Sequence, residues 1–180
     1  MDTSSGTYFE LVFQAILTLH GYEYYPNKVD LFANRKDKSR FPGKHYGKEV
    51  IVGKSSKGTN RRVEFFIINH ARFGLEGLIA ECKWQQVNGS LGDKLYRIPA
   101  DVKKTAIPTI AVIDGPALEP GIREMLKGHV DGYIFIACWS TMELISQAIK
   151  GFWGEGYCPP AQKDKESINY PYGDLWEVTS

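Results

Sequence analysis

Cysteines and long apolar runs are both scarce in this sequence. Its three cysteines, Cys82, Cys138 and Cys158, form no CxxC pair and no metal-ligand cluster, so a reduced, cytoplasmic protein is expected. No apolar stretch approaches the roughly 18 residues of a membrane span. The N-terminal MDTSSG lacks the basic region of a signal peptide. The sequence therefore predicts neither a membrane helix nor a disulfide-stabilised secreted domain.

The chain nevertheless contains enough apolar residues to build a core. Of its 180 residues, 43% are apolar and 24% are charged, which is typical of a globular protein. We expect one domain over residues 1–156, because this length is sufficient for a single core. Residues 157–180 show no apolar period, so an irregular C-terminal tail is expected there.

Positive charge is concentrated in one segment. Between Arg35 and Arg62, ten Lys or Arg residues stand against two acids, a local charge of +8, whereas the remainder of the chain carries −7. This asymmetry indicates a polyanion partner, although a solvated loop would carry the same charges. The basic residues of the segment are Arg35, Lys36, Lys38, Arg40, Lys44, Lys48, Lys54, Lys57, Arg61 and Arg62.

The order of the predicted elements indicates an α/β fold. A helix opens the chain, and its apolar residues Tyr8, Val12, Ala15 and Leu19 recur at helical spacing. The short strand YEYY follows, and then a basic insertion from about residue 27 to 46. Three strands come next, KEVIVGK, RRVEFFIIN and LIAECKW. Helices and apolar strands then alternate as far as STMELISQAIKGFW, which predicts a sheet covered by helices.

Two charged residues interrupt the strand LIAECKW. Strand side chains alternate between faces, so Glu81, Lys83 and Gln85 share one face. Burying either charge alone is costly, and a structural salt bridge at that depth gains little. A divalent cation held by the carboxylate is the better explanation, with the lysine acting on what the cation holds. A second D-x-K triplet, at 101–103, falls in a predicted helix, where residues two apart do not face each other.

A second carboxylate is expected on the preceding strand, since a metal site needs more than one. Glu64 is the only acid in RRVEFFIIN, and antiparallel pairing would bring it onto the same face as Glu81. Glu64 could instead pair with Arg62 or with a nearby lysine at the strand end. The sequence leaves both interpretations open.

An acid on one strand, a hairpin, and Glu-x-Lys at the end of the next strand together resemble the PD-(D/E)xK nuclease superfamily. The resemblance covers Thr7–Ala148 and depends on Glu64, Glu81 and Lys83. The chain has Val-Glu at 63–64 where the family usually has Pro-Asp. The resemblance implies a single restriction-endonuclease-like α/β domain, in which a central mixed β-sheet is flanked by helices. The superfamily includes restriction and homing endonucleases, junction resolvases and repair nucleases.

The resemblance also implies a mechanism, the Mg²⁺-dependent hydrolysis of phosphodiester bonds, with Mn²⁺ as a substitute. Glu64 and Glu81 would hold the metal together with the backbone carbonyl of Cys82. Lys83 would orient or deprotonate the attacking water and contact the scissile phosphate. Gln85 resembles the polar residue that many family members carry at this point, although it could also be an ordinary polar residue at a strand exit.

Three further residues have two interpretations each. The first helix of the family often donates a glutamate to the site, so Glu10 is either a metal ligand or part of a solvated stripe. Lys94 and Arg97 follow the catalytic strand in NGSLGDKLYRI, and they would either face a phosphate backbone or belong to an ordinary helix start.

Three functions remain open at this stage. The first is a DNA endonuclease that acts on double-stranded DNA as a homodimer, whose two active sites cut both strands. The second is a catalytically inactive DNA-binding module of the same fold, which Val-Glu in place of Pro-Asp permits. The third is a plain α/β domain with a salt bridge between Glu81 and Lys83. The expected DNA contacts are Arg35, Lys36, Lys38, Arg40, Lys44, Lys54, Lys57, Arg61, Arg62 and Lys94.

Overall fold

The computed structural model of the protein describes residues 5–85, 92–130 and 134–154. The expected tail at 157–180 lies outside these ranges. The strands of the described part are β1 (Glu23–Tyr24), β2 (Lys44–Lys54), β3 (Asn60–Asn69), β4 (Leu78–Trp84), β5 (Thr109–Asp114), β6 (Gly128–Val130) and β7 (Ile134–Trp139). Its helices are α1 (Ser5–Leu19), α2 (Lys28–Ala33), α3 (His70–Phe73), α4 (Gly92–Leu95), α5 (Ile98–Thr105), α6 (Ile122–Leu126) and α7 (Thr141–Ile149).

The strands form one mixed sheet in the order β1-β2-β3-β4-β5-β7-β6. β2, β3 and β4 make an antiparallel meander, whereas β4, β5 and β7 run parallel to one another. The short strand β6, which the sequence did not predict, pairs with β7 in antiparallel orientation. The mixed sheet that the resemblance implied is thus present, and its meander carries Glu64 and Glu81.

Helices cover both faces of the sheet. On one face, α1 and α7 share a core with β3, β4 and β5, which includes Phe13, Leu144, Phe65 and Val112. On the other face, the region of α2 packs on β2 and β3, and α5 packs on β5 and β7. Among the described residues, no helix has the length and the hydropathy that a membrane crossing requires.

Apolar residues lie on two sides of α1, and one of these sides is buried. Phe9, Phe13 and Leu17 recur every four residues and are buried, whereas Tyr8 and Leu19 of the predicted apolar set are exposed. The helix carries apolar residues on two sides, so helical spacing alone could not identify the inward one. An apolar stripe of α1 therefore faces away from the core.

The segment of the expected basic insertion, 27–46, contains α2 and the start of β2. Asn27 caps α2 by accepting a hydrogen bond from the backbone N–H of Asp30 at 3.1 Å. Leu31 and Phe41 are buried in the core beneath this segment, which fixes it on the sheet. The following strand also begins earlier than predicted, at Lys44.

Two helices in the second half of the chain, α5 and α7, begin with residues that suit the first turn of a helix. Pro99 lies in the first turn of α5, where its missing N–H costs nothing. At the start of α7, the Ser140 hydroxyl accepts from the Glu143 N–H at 3.2 Å, and the Glu143 carboxylate accepts from the Ser140 N–H at 2.5 Å. These two hydrogen bonds form a capping box at the start of α7.

Candidate active site

β3 and β4 stop pairing next to the two predicted carboxylates. Phe65 and Ala80 form their last backbone pair, so Glu64 and Glu81 stand opposite each other one step further on. There the backbone N–H of Cys82 donates to Oε2 of Glu64 instead of to a backbone carbonyl of β3. A side-chain carboxylate therefore takes the place of the neighbouring strand, and the two strands separate around it.

The position of Glu64 in β3 explains why its side chain is available for this contact. Glu49, which stands opposite Glu64 on β2, has a left-handed backbone with φ of 51°. Val63 packs into the core on the α2 face, whereas Phe65 packs into the core under α1. Strict alternation would place Val63 and Phe65 on one face, so the strand changes faces at Glu64, and the carboxylate turns towards β4.

Lys83 joins the two carboxylates. Its ammonium contacts Oε1 of Glu64 and lies 3.4 Å from Oε2 of Glu81. On the other side of Glu81, Nη2 of Arg61 lies 3.7 Å from Oε1. The site thus contains two carboxylates and two cations in one continuous cluster, and Glu81 is buried between the two cations.

Burial and charge act in opposite directions on the groups of this cluster. Burial raises the pKa of Glu64, and the nearby charge of Glu81 raises it further, against the opposing effect of Lys83. Burial alone would lower the pKa of Lys83, but the carboxylates of Glu81 and Glu64 raise it above its usual value. Burial also lowers the pKa of Arg61. Burial thus outweighs the partner charges at Glu64 and Arg61, whereas the two carboxylates outweigh burial at Lys83.

Arg61 is not a surface residue, although the sequence placed it among the DNA contacts. It is only 4% exposed. Its Nη1 donates to the carbonyl of Asp101 at 3.0 Å and to the hydroxyl of Thr105 at 2.6 Å, which connects β3 to α5. The sequence offered one signal for this placement, since Arg61 and Val63 alternate with the exposed Arg62.

Gln85 continues the same face of β4 and is 2% exposed. Its backbone N–H donates to the carbonyl of Asp114 at 2.8 Å. A Cβ at position 115 would lie 2.2 Å from the Gln85 carbonyl, so only Gly115 permits this close approach. Both polar atoms of the Gln85 side chain are buried without a hydrogen-bond partner in the described part of the chain.

Glu10 is not brought into contact with Glu64 or Glu81. Its carboxylate lies 3.3 Å from the ammonium of Lys48, and α1 covers the face of the sheet to which Cys82 contributes. Burial raises the pKa of the Cys82 thiol well above its usual value, and Glu10 is among the acids that add to this effect. Glu10 is therefore near the site but faces it from the other side of the sheet.

The donor set fits a hard divalent cation that retains part of its hydration. Glu64 and Glu81 offer carboxylate oxygens to the same small region, as their shared contact with Lys83 demonstrates. The N–H and C=O of a strand residue point to the same edge, so the Cys82 carbonyl lies on the edge facing Glu64. No group of three or more His, Cys, Asp or Glu side chains suited to a metal occurs in the described ranges. One or two carboxylates with water and phosphate ligands is the pattern of Mg²⁺.

Acidic side chains already engage several of the basic residues predicted to contact DNA. Arg35 lies 3.0 Å from Glu76, and Lys36 also contacts Glu76. Arg40 lies 2.6 Å from Asp30. These ion pairs compensate positive charge in the first part of the basic segment.

The remaining predicted contacts lie mainly on two surfaces. Lys54, Lys57 and Arg62 are exposed in and beside the turn between β2 and β3, and Lys94 is exposed on α4. The ammonium of Lys54 donates to the side chain of Asn60 at 2.7 Å. Among the other basic residues considered for DNA contact, Lys38 is exposed, whereas Lys44 and Arg97 are half-buried. The β2–β3 hairpin therefore presents three of the predicted DNA contacts as exposed cations.

Comparison with known proteins identifies the family. A family model for a PD-(D/E)XK nuclease superfamily domain matches residues 2–146, which is most of the chain. No curated protein and no solved structure gives a significant match. The mixed sheet flanked by helices is consistent with the restriction-endonuclease-like α/β fold. The chain belongs to the PD-(D/E)XK nuclease superfamily.

Proposed function

We propose that this protein is a metal-dependent DNA endonuclease that hydrolyses phosphodiester bonds in double-stranded DNA with Mg²⁺, for which Mn²⁺ substitutes. Membership of the superfamily supports a nuclease-type function on a nucleic acid substrate, and these nucleases generally use divalent metal ions. The single observation that carries the proposal is the convergence of Glu64 and Glu81 on Lys83 where β3 and β4 separate.

The roles of the residues follow from their positions. Glu64 and Glu81 would hold the metal, with the Cys82 carbonyl as a third oxygen donor. A bound Mg²⁺ supplies activation of a water molecule and compensation of the charge that develops on the phosphate. Lys83 contacts the scissile phosphate and orients the attacking water, because its ammonium lies beside both carboxylates. Gln85 offers an unpartnered amide on the same face, which supports a polar contact with the substrate.

The longer side chain at position 64 is compatible with catalysis. Glutamate stands where the family usually has aspartate, and this difference admitted an inactive DNA-binding module as the alternative. The carboxylate of Glu64 nevertheless reaches the Cys82 N–H and the Lys83 ammonium. The two carboxylates are therefore not held apart, and their positions give no reason to favour the inactive module.

The exposed basic surface beside the site supports binding to a polyanion. Arg62 lies two residues from Glu64, roughly 7 Å along the strand. Lys54 and Lys57 continue this surface to the end of the hairpin. Cations at this hairpin would contact the phosphate backbone at the end of the sheet, with Arg62 pointing away from the face that carries Arg61 and Glu81.

We also propose that the protein is a cytoplasmic homodimer. Its outward apolar side chains on α1 and α7 support association with a second copy: Tyr8, Leu11, Leu19, Met142, Ile145 and Ile149. Large apolar side chains left exposed in this way are typical of surfaces that a partner covers. Both helices lie on the face opposite to the Glu81 side chain, so a dimer formed there leaves both sites accessible. The free, buried thiols of Cys82 and Cys138 are consistent with a reducing compartment.

Incubation of the protein with mixed DNA substrates tests the function directly. We expect cleavage of duplex DNA in Mg²⁺ and in Mn²⁺, and its complete loss in EDTA, with restoration when Mg²⁺ is added back. DNA binding without cleavage under all metal conditions would identify the inactive module instead. Neither binding nor cleavage would leave only the plain α/β domain.

A further inference from the structure

Of the two terminal nitrogens of the Arg61 guanidinium, only Nη1 forms hydrogen bonds in the described part of the chain. Its Nη1 donates to the Asp101 carbonyl and to the Thr105 hydroxyl, both on α5. Its Nη2 is buried, forms no hydrogen bond within the described ranges, and lies 3.7 Å from Oε1 of Glu81. A buried guanidinium needs a compensating anion, and Glu81 is the carboxylate with which it forms an ion pair. Helix α5 therefore orients Arg61, and Arg61 in turn faces Glu81.

Lys83 and Arg61, the two cations beside Glu81, differ in how they are held. Lys83 is a flexible ammonium shared between Glu81 and Glu64, whereas the planar guanidinium of Arg61 is held by two hydrogen bonds. A guanidinium fixed in this way acts on Glu81 through its charge, at 3.7 Å from Oε1, and from one constant direction. Oε1 of Glu81 thus faces the fixed cation, and Oε2 faces Lys83 and the gap between the strands.

The same arrangement determines the charge that a metal ion meets. Glu64 and Glu81 contribute two negative charges, and Lys83 and Arg61 contribute two positive charges, so the cluster is neutral. The nearby carboxylate of Asp101 is itself engaged by the backbone N–H of Ser56 at 2.5 Å. A divalent cation therefore approaches carboxylates whose charge is already compensated, and removal of one compensating cation should strengthen its binding.

We propose that Arg61 is a positioning residue of the nuclease site, which orients Glu81 for metal binding and keeps the affinity of the site for a free divalent cation low. This inference rests on the proposed function. It assigns to Arg61 two opposite effects, a gain in turnover through the orientation of Glu81 and a loss in metal affinity through its charge. A residue that only stabilised the fold would not separate these two effects.

Calorimetric titration of the protein with Mn²⁺ in the absence of DNA tests the inference. We expect Arg61→Gln to bind Mn²⁺ about tenfold more tightly than wild type, because one positive charge beside Glu81 is gone. Its rate of DNA cleavage should nevertheless fall at least about tenfold, because Glu81 is no longer held. Circular dichroism establishes that the variant is folded under the titration conditions.

Two further variants make the result independent of the folding of Arg61→Gln. Arg61→Lys keeps the charge but not the planar donor, so it should retain wild-type Mn²⁺ affinity and lose turnover. Thr105→Val removes a hydrogen-bond partner of Arg61 without changing any charge, so its Mn²⁺ affinity should also stay unchanged.

The outcomes separate the two proposals. Unchanged or weaker Mn²⁺ binding by folded Arg61→Gln would overturn the role of Arg61, and so would wild-type turnover by Arg61→Lys. In either case the proposed function stands if the wild-type protein binds Mn²⁺ and cleaves DNA. A wild-type protein that neither binds Mn²⁺ nor cleaves DNA would overturn both.

Discussion

Glu64 accepts a hydrogen bond from the backbone N–H of Cys82, although the two residues belong to neighbouring strands that have ceased to pair. The contact closes the end of the β3–β4 ladder and keeps the polar backbone of Cys82 satisfied. It also places the Glu64 carboxylate beside Lys83 and opposite Glu81. Oε2 of Glu64 therefore ends the pairing of β3 with β4 and also holds the Glu64 carboxylate in the candidate site.

The first prediction concerns the two residues of the Glu-x-Lys strand. Glu81→Gln and Lys83→Ala should each lower the rate of DNA cleavage at least about 10²-fold. DNA affinity should change little, because the exposed cations around Arg62 supply the backbone contacts. Gel-based cleavage assays give the rates, and fluorescence anisotropy gives the affinity.

A matched control for Lys83 exists in the same chain. Lys103 belongs to the other D-x-K triplet and is exposed on α5, so Lys103→Ala should cleave DNA at close to the wild-type rate. If Lys83→Ala cleaved as fast as Lys103→Ala, the assignment of Lys83 to the site would be wrong.

Antiparallel pairing allowed the prediction that Glu64 and Glu81 share a face, but the sequence left a pair of Glu64 with Arg62 or a nearby lysine equally open. It was insufficient for Arg61. The residue stands in a basic run, and only the packing of α5 on the sheet determines that its guanidinium points inward. Charge patterning cannot distinguish a cation that faces solvent from one that compensates a buried acid.

Tertiary contacts override composition in two segments of the chain. The basic, glycine-containing stretch at 27–46 looked like a loop, yet Leu31 and Phe41 anchor it to the sheet. Two sides of α1 are apolar, and only the shape of the core selects the side that is buried. Periodicity identifies a helix but not always the direction in which it packs.

The second prediction concerns the basic surface of the β2–β3 hairpin. Simultaneous replacement of Lys54, Lys57 and Arg62 by alanine should make the salt dependence of DNA binding less steep, by about 2 to 3 in the slope of log K against log salt. The affinity should fall for all DNA sequences alike, because phosphate contacts carry no base information. Fluorescence titrations across a salt series measure the slope.

A second triple variant provides the comparison for this measurement. This variant replaces Lys36, Lys38 and Arg40 by alanine. Lys36 is already paired with Glu76, and Arg40 with Asp30. The joint replacement should therefore change the slope by only about 1. If replacing Lys36, Lys38 and Arg40 reduced the slope more than replacing Lys54, Lys57 and Arg62 did, the DNA-binding surface would lie at residues 36–40 instead.

The third prediction concerns the apolar surface of α1 and α7. Leu19 is 82% exposed and Ile149 is 81% exposed, and a charge at either position would be desolvated in an interface between two copies. Leu19→Glu or Ile149→Glu should therefore shift the protein from dimer to monomer in light scattering. Val29→Glu is the matched control, since Val29 is 80% exposed on α2, on the other face of the sheet. A monomeric wild-type protein would refute the dimer.

The last prediction uses the pKa of Asp114, at the end of β5. Burial alone would raise this pKa, but the backbone N–H and hydroxyl of Thr141, the N–H of Gly115 and the nearby Arg123 lower it below the usual value. The two contacts with Thr141 measure 3.1 and 2.9 Å and hold the first turn of α7 against β5. A depressed pKa in the folded state means that ionised Asp114 stabilises the fold.

The sign of the pH dependence follows from linkage. The contribution of Asp114 is fully present above its unfolded pKa of about 4 and is lost as the pH falls through its lower folded pKa. Asp114→Asn keeps the shape but not the charge, so it should lower the free energy of unfolding by about 1 kcal/mol at pH 7 and by much less near pH 3. Urea unfolding of both proteins at the two pH values measures the difference. An equal loss of stability at pH 7 and pH 3 would mean that the carboxylate contributes through its shape alone and not through its charge.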